Sequence, residues 1–380
     1  MKLTPIHGQP SWRFSSDCID AAITRQGGHL APVSFQLPHA VVQPFSVAPW
    51  AKEKVAPETP PLLRSLRGDF FCAPFGGNDK AWRGEKHPAH GESAQANWQF
   101  ESLRKSKTET ELHLSLETKV RPGMVDKILR LRQGETNLYC RHLISKMSGK
   151  MNLGHHATLK FPDAEGSGLI STSAISHGQI FPFEFERPAQ GGYNSLKQGA
   201  EFSRLDQVPA RDGTMADLSQ YPARRGFEDL AMVTHEAAPD FAWTAVVFPA
   251  ERYVWFALKD PRVLRSTVFW ISNGGRHYAP WNGRHVSVMG LEDVTSYFHC
   301  GLAESVQPNP ISKKGIPTCL TLKSQETLSV NYIMGVAAIP RGWSRVKAIT
   351  PEKDGITLQP EKGKPVHVPV DFSFLYEKTS

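Results

Sequence analysis

The chain has 380 residues, 40% of them hydrophobic and 21% charged, with 30 Gly and 29 Pro. This is a globular composition, long enough for one large β domain or two ordinary domains at roughly 150 residues each. No apolar run reaches the ~18 residues needed to span a bilayer, and Met1-Lys2-Leu3-Thr4-Pro5-Ile6 lacks the apolar centre of a secretory signal, so a cytoplasmic protein without membrane contact is expected. The formal charge of +7 is spread along the chain and forms no basic tract, which argues against a nucleic-acid partner. Five scattered cysteines without a Cys-x-x-Cys pair signal neither a disulfide framework nor a thiolate metal site.

In chain order, the first irregular stretch is 43–61, which carries five prolines among charged residues. Lys86-His87-Pro88-Ala89-His90-Gly91 follows as a turn leading into Asn97-Trp98-Gln99-Phe100. From Thr110 to Val120, Leu112, Leu114 and Leu116 alternate with His113, Ser115 and Glu117, the period-two signature of a strand with one buried face. Strand-like runs continue at 125–131 and 138–144.

Met151 to Phe161 also reads as a strand. Leu153, His155, Ala157, Leu159 and Phe161 fall on its apolar face, and Asn152, Gly154, His156, Thr158 and Lys160 on the other. His155 is therefore expected in the core and His156 at a chemical site, with Gly154 leaving space beside it for a ligand. A second polar stretch, 190–225, is interrupted by Gly and Pro, and long loops of this kind make both it and 43–61 candidate rims of a cleft.

Further strands are expected at 241–248, 253–258, 266–271, 286–291, 319–322 and 328–337, separated by turn residues. Helix-period patterns are scarce, so the expectation is a single all-β domain over 1–380. Asn273-Gly274-Gly275 is a tight turn. Beyond it, Tyr278 and Trp281 could offer ring faces to a sugar. Glu292 shares strand parity with Val286 and Val288, and desolvation there would raise its pKa from a reference of ~4.3 toward that of a general base.

Taken together, these segments resemble the galactose mutarotase-like superfamily, which includes aldose 1-epimerases and hexose-phosphate mutarotases. The resemblance rests on Ile23-Thr24-Arg25-Gln26-Gly27-Gly28-His29-Leu30 as the opening strand pair, on His90-Gly91 with Trp98 after it, on Asn152-Leu153 followed by His156, and on Gly290-Leu291-Glu292, in that order.

The resemblance implies a large antiparallel super-β-sandwich and an isomerase of carbohydrate metabolism that interconverts sugar anomers. Glu292 would be the base and His156 the acid, with His90 fixing the ring oxygen or a hydroxyl. Asn78, Lys80, Arg67, Trp98, Tyr278 and Trp281 are the substrate-binding candidates, and a monosaccharide or sugar derivative is the implied partner. Neither metal nor organic cofactor is implied. Asp229 and Asp260 are the only aspartates proposed for holding hydroxyls.

Two other readings use the same residues. One is a carbohydrate-binding protein without turnover, in which Glu292 and His156 need not face one another, whereas an enzyme is expected to place them on opposite sides of a sugar-sized gap, both pointing inward. The other is a metal-dependent β protein using His87, His90 and one of His155 or His156.

Overall fold

The computed structural model describes residues 1–236 and 240–378. Three antiparallel sheets carry most of the strands. Thr4–Ile6, Gln9–Ser15, Ile19–Thr24, Leu30–Leu37 and Ala40–Val42 form a five-stranded meander. The expected opening pair is Ile19–Thr24 and Leu30–Leu37, and its turn uses Gly27 and Gly28 at φ +71° and +58°. A Cβ on Gly28 would sit 2.8 Å from the Trp98 indole nitrogen, so only glycine fits there.

A nine-stranded sheet runs, edge to edge, through Gln220–Tyr221, Gly168–Thr172, Ala242–Phe248, Tyr253–Lys259, Leu328–Ala338, Asn137–Ser145, Gly123–Arg132, Glu109–Thr118 and Gln99–Lys105. An eight-stranded sheet runs through Glu201–Phe202, Ile175–Ile180, Phe227–His235, Ser266–Asn273, Val288–Thr295, Leu153–His155 and Phe71–Cys72, with Ala157–Lys160 also paired to Val288–Thr295.

The period-two run behaves as the pattern requires. Leu112, Leu114 and Leu116 are buried in the main core, while on the opposite face Glu117 is exposed, His113 half-buried and Ser115 buried. The four strands between Ala242 and Thr295 are buried along their entire length because both of their faces are covered. On Tyr253–Lys259, Trp255 and Ala257 join the core between the large sheets. Val254, Phe256 and Leu258 instead meet a small C-terminal sheet of Val346–Glu352, Gly355–Pro360 and Val366–Val368. That sheet escaped the sequence reading.

On the eight-stranded sheet, Phe269, Ile271, Met289 and Leu291 face inward. Val268, Trp270 and Val294 face outward and are roofed by residues from the 48–75 segment, including Trp50, Leu62, Leu66 and Phe70. The proline-rich 43–61 stretch is thus a cover for the sheet, and Trp50 anchors it by donating from its indole nitrogen to the Leu63 carbonyl at 2.7 Å. Among the described residues, no helix is long and apolar enough to cross a membrane.

Between the two large sheets, Lys259 is completely buried and its ammonium contacts Asp293 Oδ1, Thr267 Oγ1 and the Ser266 carbonyl. Tyr332 donates to Asp293 Oδ2 at 2.7 Å. Burial lowers the Lys259 pKa, and the Asp293 carboxylate opposes that shift. Removing one partner of a buried ion pair strands the other, at a cost of about 3–5 kcal/mol. Asp293→Ala should therefore lower the urea-unfolding free energy by about that much. An unchanged midpoint would show that Lys259 finds another partner.

Candidate active site

Glu292 lies within Val288–Thr295, a strand that continues four residues past the expected end at Leu291. Its parity turns it outward with Val294, while Asp293 turns inward. In register it opposes Val268, and Gly290 opposes Trp270. A Cβ on Gly290 would meet Glu292 Oε1 at 2.6 Å and Trp270 Cβ at 3.1 Å, so the glycine makes room for the carboxyl group beneath the indole.

The expected strand 151–161 is broken in two, Leu153–His155 and Ala157–Lys160, and His156 occupies the break. Its backbone N–H donates to the Phe70 carbonyl at 2.9 Å, outside either strand. Alternation sends the consecutive histidines to opposite faces, as expected. His155 points into the core, where Nδ1 lies 2.9 Å from Asp69 Oδ2 and the ring stacks on Tyr332. His156 points to the outer face, its ring stacked on Phe70 at a centroid distance of 4.3 Å. Gly154 does not make space for a ligand: a Cβ there would strike the Asp293 carbonyl at 2.5 Å, so it permits close strand pairing instead.

His156 Nε2 lies 3.0 Å from Glu292 Oε1, and both side chains are almost fully buried. Desolvation dominates each group. It raises the Glu292 pKa well above the ordinary carboxylate value and drives His156 down to about 3. Burial thus favours a protonated Glu292 beside a neutral His156, one proton for the pair. The other ring nitrogen, Nδ1, lies 3.1 Å from Thr158 Oγ1, whose hydroxyl can also donate to the His156 carbonyl at 3.4 Å. In that arrangement Nδ1 carries the hydrogen and Nε2 offers its lone pair to Glu292.

His90 completes the triplet. Its ring is edge-on to His156 at 5.0 Å and to Phe75 at 4.9 Å. The residue sits at φ +59°, and Gly91 follows at +76°, with only 2.2 Å between a hypothetical Cβ and the Ala73 carbonyl. His90 Nδ1 accepts from the Gly76 N–H at 3.4 Å, which leaves the proton on Nε2. Burial holds the ring neutral, with a pKa well below the usual imidazole value.

The three groups line one cavity of about 100 Å³, together with Phe70, Trp270, Trp281, Arg276, Phe185 and His299. This is below the roughly 300–1,000 Å³ common for small-molecule sites. Arg276, His299 and Trp270 were not singled out from the sequence. Arg276 Nε donates to Glu186 Oε1 at 2.6 Å, and its guanidinium covers the Trp281 ring at 4.6 Å. Burial alone would lower the Arg276 pKa, but Glu228 and Glu186 outweigh it and raise the value. His299 packs edge-on against Phe181 and Phe185, its Nδ1 has no partner among the described residues, and burial lowers its pKa to about 4.

The other sequence candidates separate clearly. Trp281 lines the cavity, and Tyr278 sits beside it, half exposed, donating to Glu186 Oε2 at 3.1 Å. Asn78, Lys80, Arg67 and Trp98 are not among the cavity residues. Asn78 donates to the Gly76 and Pro88 carbonyls and accepts from the Leu302 N–H, so the loop backbone consumes its amide. Arg67 is buried and donates to the carbonyls of Ser65, Ile6 and His7. Trp98 is a core side chain bonded to the Ser93 carbonyl, and Lys80 pairs with Glu304 on the surface.

Asp229 accepts from the backbone of Ser195 and Leu196, and Asp260 holds Arg262. His87 pairs with Glu85 at 2.9 Å instead of joining His90 in a chelate. Among the described residues, no group of three or more His, Cys, Asp or Glu is arranged to hold a metal ion. The 190–225 stretch frames a different cavity of about 660 Å³, lined among others by Asn194, Arg211, Asp212 and Arg224.

Glu228, behind Arg276, is fully buried. It accepts from Trp270 Nε1 at 3.0 Å and from Ser272 Oγ at 2.6 Å. Desolvation raises its pKa from 4.5 to about 7 despite Arg276. The folded protein therefore holds a proton that the unfolded chain releases, and stability must fall as pH rises from about 4.5 to about 7, then level off. At 1.36 kcal/mol per pH unit the loss is roughly 3 kcal/mol. Denaturant unfolding across that range should show this decline, and Glu228→Gln should flatten it. An equal slope in the variant would assign the effect to other groups.

No protein-family model matches the sequence, and no curated protein does. Solved structures do match in fold. A protein from Escherichia coli K12, described provisionally as an aldose 1-epimerase, superposes with a TM-score of 0.57 at 14% identity, covering 87% of this chain and 99% of that one. A galactose mutarotase related enzyme from Lactobacillus acidophilus gives 0.55 at 10% identity, with 87% and 99% covered. An aldose epimerase homologue from C. elegans gives 0.54 at 10% identity, again with 87% and 99% covered. At such identities the likeness is one of architecture, and the chain has the galactose mutarotase-like fold.

Proposed function

We propose that the protein is an aldose 1-epimerase-like isomerase that interconverts the anomers of a monosaccharide, with Glu292 and His156 as the paired base and acid. The observation that carries the reading is the 3.0 Å approach of His156 Nε2 to Glu292 Oε1 in a buried, aromatic-walled cavity. From the sequence, the two groups were expected on opposite sides of a sugar-sized gap. They are instead in contact, which suits this chemistry, because the anomeric hydroxyl oxygen and the ring oxygen share one carbon. An acid and a base serving both oxygens have to be neighbours.

In the reaction, the pair's one proton passes across the 3.0 Å contact from Glu292 Oε1 to His156 Nε2 as substrate enters, and the Glu292 carboxylate then takes the proton of the anomeric hydroxyl while protonated His156 gives one to the ring oxygen. The bond between C1 and the ring oxygen breaks and the open-chain aldehyde forms. Rotation about C1–C2 presents the other carbonyl face. Ring closure then reverses both transfers, with protonated Glu292 as acid and neutral His156 as base. The pair carries one proton throughout, so no step adds net charge to the buried site. His90, with Nε2–H free to donate, holds the ring oxygen or a hydroxyl, while the faces of Trp270 and Trp281 meet the apolar side of the sugar.

The closed Glu292–His156 contact favours a second reading, a sugar-binding protein without turnover, in which the two remain paired. Exchange NMR over a panel of aldoses and sugar phosphates separates the two. The enzyme reading expects accelerated anomer exchange for at least one sugar, and Glu292→Gln and His156→Ala should each slow it by about 10²–10⁴-fold while circular dichroism stays native. Binding without acceleration by the wild type, or full activity in either variant, would reject the assigned roles.

A further inference from the structure

The cavity at Glu292 holds about 100 Å³, against roughly 300–1,000 Å³ for small-molecule sites, so a wall must move when a sugar enters. Two elements close it from outside: the 48–75 cover, through Leu62, Leu63, Leu66 and Phe70, and the segment 182–190, through Phe185. They are held very differently. The cover is tied to the sheets by backbone bonds, from His156 N–H to the Phe70 carbonyl, from Thr158 N–H to Gly68 and from Gly68 N–H to Ser46, and by the three carbonyls that Arg67 binds.

Among the described residues, the backbone of 182–190 makes no bond to other backbone beyond its own span, Gly191 and Gly192. Outside that span, Gln198 donates to the Pro182 carbonyl at 2.8 Å and Asn194 accepts from the Glu186 N–H at 3.2 Å. Phe183, Glu184 and 187–190 are exposed, and the ion pair of Arg187 with Glu184 lies within the segment and travels with it. Phe185 and Glu186 turn inward. Phe185 and Leu230 line both the catalytic cavity and a pocket of about 20 Å³, so the Phe185 ring is a partition between the two. Glu186 is buried and accepts from Arg276 Nε at 2.6 Å and from the Tyr278 hydroxyl at 3.1 Å. A Cβ on Gly192 would lie 2.3 Å from Glu186 Oε2, so the glycine lets the carboxylate seat.

We propose that 182–190 is a lid over the Glu292–His156 cavity, latched by Glu186 to Arg276 and Tyr278, and that the sugar enters where it lifts. A segment with so few backbone ties opens at a small fraction of the cost of unfolding the sheet beneath it, and a charge-assisted bond holds it shut. Lifting withdraws Phe185, the one wall residue of the cavity that this segment supplies. The identity of the guest rests on the isomerase reading of that cavity; the motion does not.

The test reads opening without a sugar. Leu230→Cys places a thiol behind Phe185, and its alkylation by iodoacetamide, followed residue by residue by mass spectrometry, reports how readily the lid lifts. Two native thiols are references: Cys72 packs with the residues under the 48–75 cover, and Cys140 lies in the core between the large sheets. Adding Glu186→Gln should speed alkylation of the introduced thiol at least about tenfold, because a bond between charged groups is lost, with Cys72 and Cys140 unchanged. If Cys140 also speeds up, the whole fold has loosened, and Tyr278→Phe, which removes one latch contact at a half-exposed residue, decides by the same comparison. If Leu230→Cys does not fold, Phe185→Cys carries the thiol. Equal rates with and without the latch in a folded variant, or an acceleration at Cys72 matching that of the introduced thiol, would overturn the lid. Absence of anomer exchange for every aldose would end the isomerase reading and leave the lid to be decided by these rates alone.

Discussion

The covering of the eight-stranded sheet on both faces is the constraint from which the site follows. A strand buried on one face can send polar side chains to water. Val288–Thr295 has no such face, so each ionisable residue on it needs a partner inside the protein. Asp293 has Lys259 and Tyr332 on the inner side. Among the described residues, Glu292 has only His156 within ion-pair distance on the outer side, and the alternation of the strand pair Leu153–His155 and Ala157–Lys160 turns His156 to that face. The same burial makes the carboxyl weakly acidic and the imidazole weakly basic, so that a single proton satisfies both.

The outer cover does more than exclude water. Leu62, Leu63 and Leu66 contribute apolar wall, and Phe70 supplies a ring with His29 stacked on one face at 4.1 Å and His156 on the other at 4.3 Å. His156 is thereby fixed by stacking, by the Thr158 contact at Nδ1 and by its own backbone bond to Phe70, leaving Nε2 as the nitrogen directed at Glu292. A ring held at three points loses little further freedom when a ligand arrives, which is the condition for efficient proton transfer.

The sequence made legible what depends on local pattern. The run at Leu112, Leu114 and Leu116 announced its strand, and Glu292, His156 and His90, chosen from three separate segments, line one cavity in the fold. What it could not show was demand from backbone groups far away. Asn78 and Arg67 look like ligand-binding residues, yet the irregular loops around them leave carbonyls unpaired by any sheet, and these side chains satisfy them. Arg276 and His299 were invisible for the converse reason, since only the folded chain brings Glu186 and Phe185 against them. The break at His156 also lay beyond pattern reasoning: the alternation from 151 to 161 continues through it, and only the carbonyl of Phe70 shows where the strand departs.

One strand ties the two cavities together. Adjacent residues of Phe227–His235 face opposite ways: Glu228 reaches Trp270, Ser272 and the neighbourhood of Arg276, while Asp229 fastens Ser195 and Leu196. Asn194 bridges the same region, donating to the Glu228 carbonyl at 2.7 Å and accepting from the Glu186 N–H at 3.2 Å. Glu186 in turn holds both Arg276 and Tyr278. The positive charge nearest Glu292 is therefore already answered by carboxylates whose positions the 190–225 stretch helps to set. Under the proposed function, recognition of a sugar in the first cavity falls to neutral donors and ring faces.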